Sequence, residues 1–306
     1  MMSDQANKLR DLMLSKQKGG ELKKNIKSEA PRVITISSGK SGVGKSNLAV
    51  NLAVQFAKLD MRCVLIDADF KTSKASALMG IEPKYSFLDV INGGKTITDI
   101  LADGPAGIMF ISGGAGFSEL SVGTNRQNLH SVEDSNQISL LNEKIAPLDD
   151  ISDIIIIDTG TGMSNMVVDF VSAGSENLML ITPEAASITD AYAVIKRAKE
   201  QNADLPVFGI LVNRAESKSG GDEVFAKLER ACNKFLGVEL NNMGFLPHDA
   251  NVLRAVKAKQ PVSLLYPDSD LSKSIDQLIE LLVSLDTKDI SFQVFLSNLI
   301  KKFNNN

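Results

Sequence analysis

The chain has 306 residues, 43% of them hydrophobic, a net charge of −4 and a pI near 5.4. That apolar content suffices for a sizeable core, and the acidic balance gives no global attraction to nucleic-acid phosphates. Cys63 and Cys232 lie far apart and no stretch approaches the roughly 20 apolar residues of a spanning helix, which argues against a disulfide scaffold, a cysteine metal knuckle and an integral membrane protein. The expectation is a protein of the reducing cytoplasm, peripheral to a membrane at most.

In chain order, Ser3 is placed to cap a short helix with Asp4 in its first turn and Ala6, Leu9 and Met13 near one face. Ser15 to Pro31, with its Lys, Gly and Ser content, reads as a linker. Val33 to Ser37 is an apolar strand running into Gly39-Lys40-Ser41-Gly42-Val43-Gly44-Lys45-Ser46, and a helix from Asn47 to Leu59 follows. This matches G-x-x-x-x-G-K-[ST] in its proper strand-to-helix context. Gly39, Gly42 and Gly44 let the backbone curl so that N–H groups point inward, and the helix presents its positive end to phosphates. The loop residues Gly39, Ser41, Gly42, Val43, Gly44, Lys45, Ser46 and Asn47 are therefore read as nucleotide-binding. Lys45 would reach the β- and γ-phosphates, and the Ser46 hydroxyl would ligate Mg²⁺.

The next strand, Cys63 to Asp67, ends in Asp67-Ala68-Asp69, two acids whose alternation points them to one face. Further strands are expected at Ile108 to Ser112, Ile154 to Asp158, Leu178 to Thr182, Val207 to Val212 and Met243 to Leu246. Helices are expected at Gln137 to Ile145, Ser187 to Gln201, Asp222 to Phe235 and Leu271 to Leu285, with a polar segment from Ser121 to Ser135. Alternation of apolar strands with helical periods predicts an α/β fold, a doubly wound and mostly parallel sheet whose ligands bind at the carboxyl ends of the strands. Asp158, followed by Thr159-Gly160-Thr161-Gly162, is placed to hold Mg²⁺, and Gly160 or Gly162 to donate an N–H to a γ-phosphate. Asn213-Arg214 and Pro247-His248-Asp249 follow strands at the same end, and the Asn213 amide suits a purine edge. At the C-terminus Phe292, Phe295, Leu296, Leu299, Ile300 and Phe303 form one apolar helical face with lysines near its end. That pattern suits either an anionic membrane surface or docking on the protein itself. The division expected is 1–31 as an N-terminal helix and linker, 32–286 as a P-loop domain and 287–306 as an amphipathic helix.

Lys40 is poorly placed to reach phosphates held by its own loop. The run Lys40 to Ser46 resembles the deviant Walker A motif of the MinD/ParA ATPases, P-loop NTPases of the SIMIBI class. There the lysine matching Lys40 crosses a dimer interface to the partner's nucleotide. The resemblance implies an ATP-bound homodimer that hydrolyses ATP slowly with Mg²⁺, leaving ADP. It makes Asp69 the residue that orients the attacking water, gives Asp67 support of the metal site, and assigns base contacts to Asn213, Arg214, Pro247 and Asp249. Ser41 stands where the family usually has glycine, and Lys71 to Ser76 departs from the usual segment after the first switch.

Within that family, Asp4-Gln5-Ala6 with Leu9-Arg10 resembles the activator motif of the flagellar MinD-like ATPases. That likeness implies stimulation of FlhF, a GTPase of the signal-recognition-particle type. Thr182-Pro183-Glu184, Thr189-Asp190-Ala191-Tyr192 and Lys196 are similar to the same branch. The implied function is regulation of flagellar number or placement, with contacts to basal-body proteins and reversible association with the inner face of the cell membrane. The alternatives are a cell-division-site MinD, a DNA-partitioning ParA, which the acidic pI disfavours, and an ATP-binding module with weakened catalysis.

Overall fold

A computed structural model describes residues 30–69, 74–113, 116–117, 120, 135–202, 205–287 and 290–304. The N-terminal motif Asp4, Gln5, Ala6, Leu9 and Arg10, the linker up to residue 29, residues 71–73 and the polar segment at 121–134 lie outside the described residues. The strands are β1 (Arg32–Ser37), β2 (Cys63–Ala68), β3 (Ala102–Asp103), β4 (Met109–Ser112), β5 (Ile154–Thr159), β6 (Glu176–Ile181), β7 (Val207–Ala215) and β8 (Asn241–Pro247). They form one sheet in the order β3-β4-β2-β5-β1-β6-β7-β8, parallel throughout except for the β3–β4 edge pair. The chain winds outward in both directions from β1, which places the topological switch beside the phosphate loop.

The consecutive isoleucines of β5 show why the strands read as unbroken apolar runs. Ile154 and Ile156 join a core on one face with Ile34, Ile36, Leu178 and Leu180, while Ile155 and Ile157 point to the other with Val33, Val64 and Ile66. Both faces are covered, so polar alternation is not available. The described helices are α1 (Lys45–Lys58), α2 (Lys74–Met79), α3 (Phe87–Ile91), α4 (Ser135–Ile145), α5 (Pro147–Ile151), α6 (Asn165–Ala173), α7 (Ala185–Gln201), α8 (Lys218–Leu236), α9 (Asn251–Lys257), α10 (Val262–Leu265), α11 (Asp270–Ser284) and α12 (Phe292–Asn304). Helices α1, α10 and α11 bury their apolar sides on the first face; α3, α6, α7, α8 and α12 cover the second. At the start of β1, Arg32 makes a buried two-pronged contact with Glu176 of β6 (2.7 and 3.1 Å) and donates to the Leu282 carbonyl of α11 (2.5 Å). This ties the last long helix of the first face to the sheet centre.

Strand β3 and helices α2, α3, α5, α6, α9 and α10 have no counterpart among the expected elements. Most of them span one or two turns, too few for a period to show. Helix α6 starts cleanly at Ser164, whose hydroxyl accepts from the Val167 N–H.

The C-terminal helix is docked. Phe292, Phe295, Leu296 and Leu299 are fully buried, Ile300 and Phe303 nearly so, against α6 and the helices before β5. Phe170 of α6 contacts Phe295 (centroids 6.1 Å apart), Phe303 (6.4 Å) and, on its other side, Phe117 (5.1 Å). Asp149 caps α12 by accepting the Phe292 N–H at 2.7 Å, and Asn298 donates to the Ala173 carbonyl. Residues 292–303, whose pattern suits either a membrane surface or docking on the protein itself, supply side chains to the domain core in this conformation. The apolar stripe states that the face must be covered and leaves the cover open. No described helix is long and apolar enough to cross a membrane. Phe295→Ala should cost about 3–5 kcal/mol in urea unfolding of the full chain. Val294→Ala, on the solvent side of the same helix, should change stability by less than about 0.5 kcal/mol; similar small losses for both would show the helix undocked in solution.

Candidate functional site

Three strand ends build the site. In the parallel register Asp158 of β5 lies opposite Ile36 of β1 and opposite Asp67 of β2, so the phosphate loop and two carboxylates converge at one edge. Gly42 (φ 77°) and Gly44 (φ 106°) take left-handed backbone, where a side chain is strained. A Cβ on Gly44 would also lie 2.6 Å from the Asn213 amide nitrogen, and one on Gly39 would collide with the Asp190 backbone. Ser41 is exposed and outside the positive-φ region, so serine replaces the family's usual glycine without strain.

Lys45, at the first position of α1, is 5% exposed and surrounded by Asp158, Asp69 and Asp67. Burial lowers its pKa; the attraction of Asp158 and then Asp69 opposes this. Burial pushes the Asp158 carboxyl up to about 7, with Lys45 pulling it down and Asp67 pushing it further up. Both Asp158 oxygens are buried without a hydrogen-bond partner; the Ser46 hydroxyl lies near enough to favour the charged form without a directed bond. Asp67 differs, accepting the backbone N–H groups of Asp69 (3.1 Å) and, at the start of α2, Ala75 (3.2 Å). Two buried, orphaned carboxylate oxygens beside a hydroxyl and a second carboxylate fit a hard divalent cation that shares its remaining positions with phosphate and water. Asp69 is nearly buried and lines a cavity of ≈ 440 Å³ with Lys45, Ser46, Asn47, Lys74 and Thr161.

The turn after β5 is tied to the loop at two points. Thr159 donates its hydroxyl to the Ile36 carbonyl (3.0 Å), and the Gly162 N–H goes to the Ser38 carbonyl (3.3 Å). Gly162 thus spends its donor on the protein here. Arg197 of α7 reaches across to the Met163 carbonyl and to Asn165 Oδ1 (2.6 Å). Helix α7 also explains the segment singled out by likeness alone: Asp190 packs its backbone on Gly39, and Glu184 forms an ion pair with Lys40.

A second cavity of ≈ 310 Å³ adjoins the first at Gly44 and Asn47 and is lined by Asn213, Arg214, Pro247, His248 and Asp249. Leu246, Val252, Leu253 and Ile275 complete it. These apolar walls, which a flat purine needs, come from the end of β8 and from α9 and α11, and nothing local in sequence marks them as facing one cavity. Asn213 and Arg214 have a further task. The Asn213 amide donates to the Val43 carbonyl (2.7 Å) and accepts the Arg214 N–H, while Arg214, itself at φ 60°, donates to the Gly42 carbonyl (2.8 Å). These bonds tie the Gly42 and Val43 carbonyls to the end of β7. Asp249 accepts the Asn251 N–H and shapes the turn into α9. Asn213→Asp would set an oxygen against the Val43 carbonyl, and nucleotide affinity in equilibrium titration should fall by roughly 10- to 100-fold, the cost of a lost and inverted, half-buried hydrogen bond. An unchanged affinity would separate Asn213 from loop geometry.

Comparison with known proteins agrees with this geometry. Residues 34–262 match the family model of the CobQ/CobB/MinD/ParA nucleotide binding domain. The chain is 34% identical over 252 residues to the antiactivator FleN of Pseudomonas aeruginosa, covering 81% of this chain and 86% of that protein. It is 28% identical over 286 residues to the flagellum site-determining protein YlxH of Helicobacter pylori, covering 92% and 91%. Among solved structures, the septum site-determining protein MinD of Pyrococcus horikoshii complexed with Mg-ADP superposes with a TM-score of 0.60 at 22% identity, covering 82% of this chain and 96% of that one. The chain belongs to the MinD/ParA nucleotide-binding family, a MinD-like P-loop protein with flagellar FleN and YlxH among its relatives.

Proposed function

We propose that this protein is an ATP-dependent dimerisation switch of the flagellar MinD-like class, with slow hydrolysis as its timer. One observation carries the reading: Lys45 and the unpartnered Asp158 carboxylate are buried together under the loop, while Lys40 stands at its exposed rim. The inner group suits Mg-nucleotide held by one chain, and the outer lysine is free of that task. Similarity to FleN and YlxH supports the flagellar assignment.

Adenine would occupy the cavity between Asn213 and Pro247 to Asp249, with phosphates on the loop N–H groups and on Lys45. Mg²⁺, held by Ser46 and Asp158 with Asp67 behind them, would neutralise charge on the phosphate oxygens. Asp69, beside Gly160 in the larger cavity, orients water toward the γ-phosphate, and Lys40 of each chain reaches the other chain's nucleotide. ATP favours the dimer and release of α12 to an anionic membrane through Phe292, Phe295, Leu296, Leu299, Ile300 and Phe303; hydrolysis returns the docked form. The N-terminal residues Asp4, Gln5, Ala6, Leu9 and Arg10 act on an FlhF-type GTPase, and basal-body proteins are further partners. The active form resides on the inner face of the cell membrane.

With turnover blocked by Asp69→Ala, ATP and Mg²⁺ should convert the monomer to a dimer in sedimentation velocity; a persistent monomer would remove the switch. A peptide spanning Met1 to Lys18 should raise the GTPase rate of an FlhF-type partner, and Gln5→Ala should abolish the stimulation. Equal inactivity of both peptides would remove the flagellar GTPase from the reading.

A further inference from the structure

The cavity that holds Lys45 and Asp69 contains a further cation that lies outside the phosphate loop. Lys74 opens α2 and lines this ≈ 440 Å³ space together with Lys45, Ser46, Asp69 and Thr161. It falls in the segment 71–76, where the sequence departs from the family's usual one. The backbone beneath it is anchored. The Ala75 N–H donates to Asp67 Oδ2 (3.2 Å), Ala75 and Met79 are buried in the core against α1, and a Cβ on Gly80, just past the helix, would lie 3.0 Å from the Lys259 carbonyl. The ammonium is not held: among the described residues it has neither a hydrogen bond nor an ion pair. Lys259, exposed and two residues past α9, lines the same cavity, so that its described lining carries three lysines and one carboxylate. Lys45 feels this excess. Burial lowers its pKa most, and repulsion from Lys74 lowers it further. Ammonium groups facing one space favour an anion between them.

We propose that Lys74 is a specificity-determining residue that contacts the γ-phosphate from within the same chain, so that a single protomer distinguishes ATP from ADP. The proposal rests on the reading of this site as one for Mg-ATP, with adenine in the cavity beside Asn213. The two cavities meet at Gly44 and Asn47. A nucleotide laid across that junction carries its phosphates past Lys45 and Ser46, and its last phosphate comes to the wall that Asp69, Thr161 and Lys74 form. ADP stops one group short of that wall. Asp69 repels the added phosphate, and a cation beside it offsets the repulsion while leaving Asp69 free to orient water. Lys40 contributes only when a second chain is present; Lys74 acts before it arrives. For an exposed lysine, a charge-assisted bond to phosphate amounts to about a 5- to 30-fold factor in an equilibrium constant.

The test titrates Mg-ADP and the magnesium complex of a non-hydrolysable ATP analogue into the full chain, at concentrations where sedimentation velocity shows a monomer. Four forms are compared: the unaltered chain, Lys74→Met, Lys74→Arg and Lys259→Met. Lys74→Met should weaken the analogue by about 5- to 30-fold and ADP by less than about twofold, and Lys74→Arg should retain most of the preference. Lys259→Met removes a charge from the same cavity and should leave the ratio of the two affinities within about twofold, which separates a contact from a general positive field. An unchanged ratio in Lys74→Met, an equal loss of both ligands, or the same change of ratio in Lys259→Met overturns the proposal. If the unaltered chain binds neither nucleotide, the Mg-ATP reading itself fails and takes this proposal with it; if it binds both and the ratio ignores Lys74, only the role of Lys74 is lost.

Discussion

The structure turns on an electrostatic conflict at the ends of three neighbouring strands. Parallel pairing sets strands about 4.8 Å apart, so the opposed Asp67 and Asp158 bring two buried carboxylates together in a place that water does not reach. Asp67 is compensated by two backbone N–H groups, and the Lys45 ammonium attracts both acids, yet both Asp158 oxygens stay without a hydrogen-bond partner. An unpaired buried carboxylate is costly, and burial has already shifted Asp158 toward its neutral form. A divalent cation with its phosphate would relieve the conflict. The arrangement is what a fold looks like when its polar accounting closes only with ligand bound.

How much of this was legible follows from where each signal resides. The strands were legible because burial on both faces forces continuous apolar runs, as in Ile154 to Ile157, and the loop because left-handed backbone at Gly42 and Gly44 needs glycine. Gly39 is different, since its requirement comes from the backbone of Asp190, about 150 residues away in sequence. The same holds for Asn213 and Arg214: their place at a strand end suggested base contact, but their bonds to the Val43 and Gly42 carbonyls depend on strand order. The apolar walls of the cavity beside Asn213 and the choice between membrane and domain as the cover of α12 were left open for one reason. A sequence period identifies a face to be buried and carries no address for its partner.

Helix α7 gives these distant contacts a common frame. At its start Glu184 pairs with Lys40, nearly two turns later Asp190 abuts Gly39, and near its end Arg197 grips the Met163 carbonyl and Asn165. A 17-residue helix packed on β6 and β7 through Ala191, Val194, Ile195 and Ala198 is stiff, so the signature lysine and the turn after β5 are mounted on one body. The turn leads directly into α6, whose Phe170 contacts Phe295 and Phe303 of the docked C-terminal helix. Any nucleotide-dependent shift of residues 160–165 must therefore strain the Arg197 grip or move α6 against α12. Close-packed interiors respond to such a shift by stepping between discrete arrangements. The turn after β5 thus lies within one run of packed contacts that leads from the phosphate loop through α7 and α6 to α12.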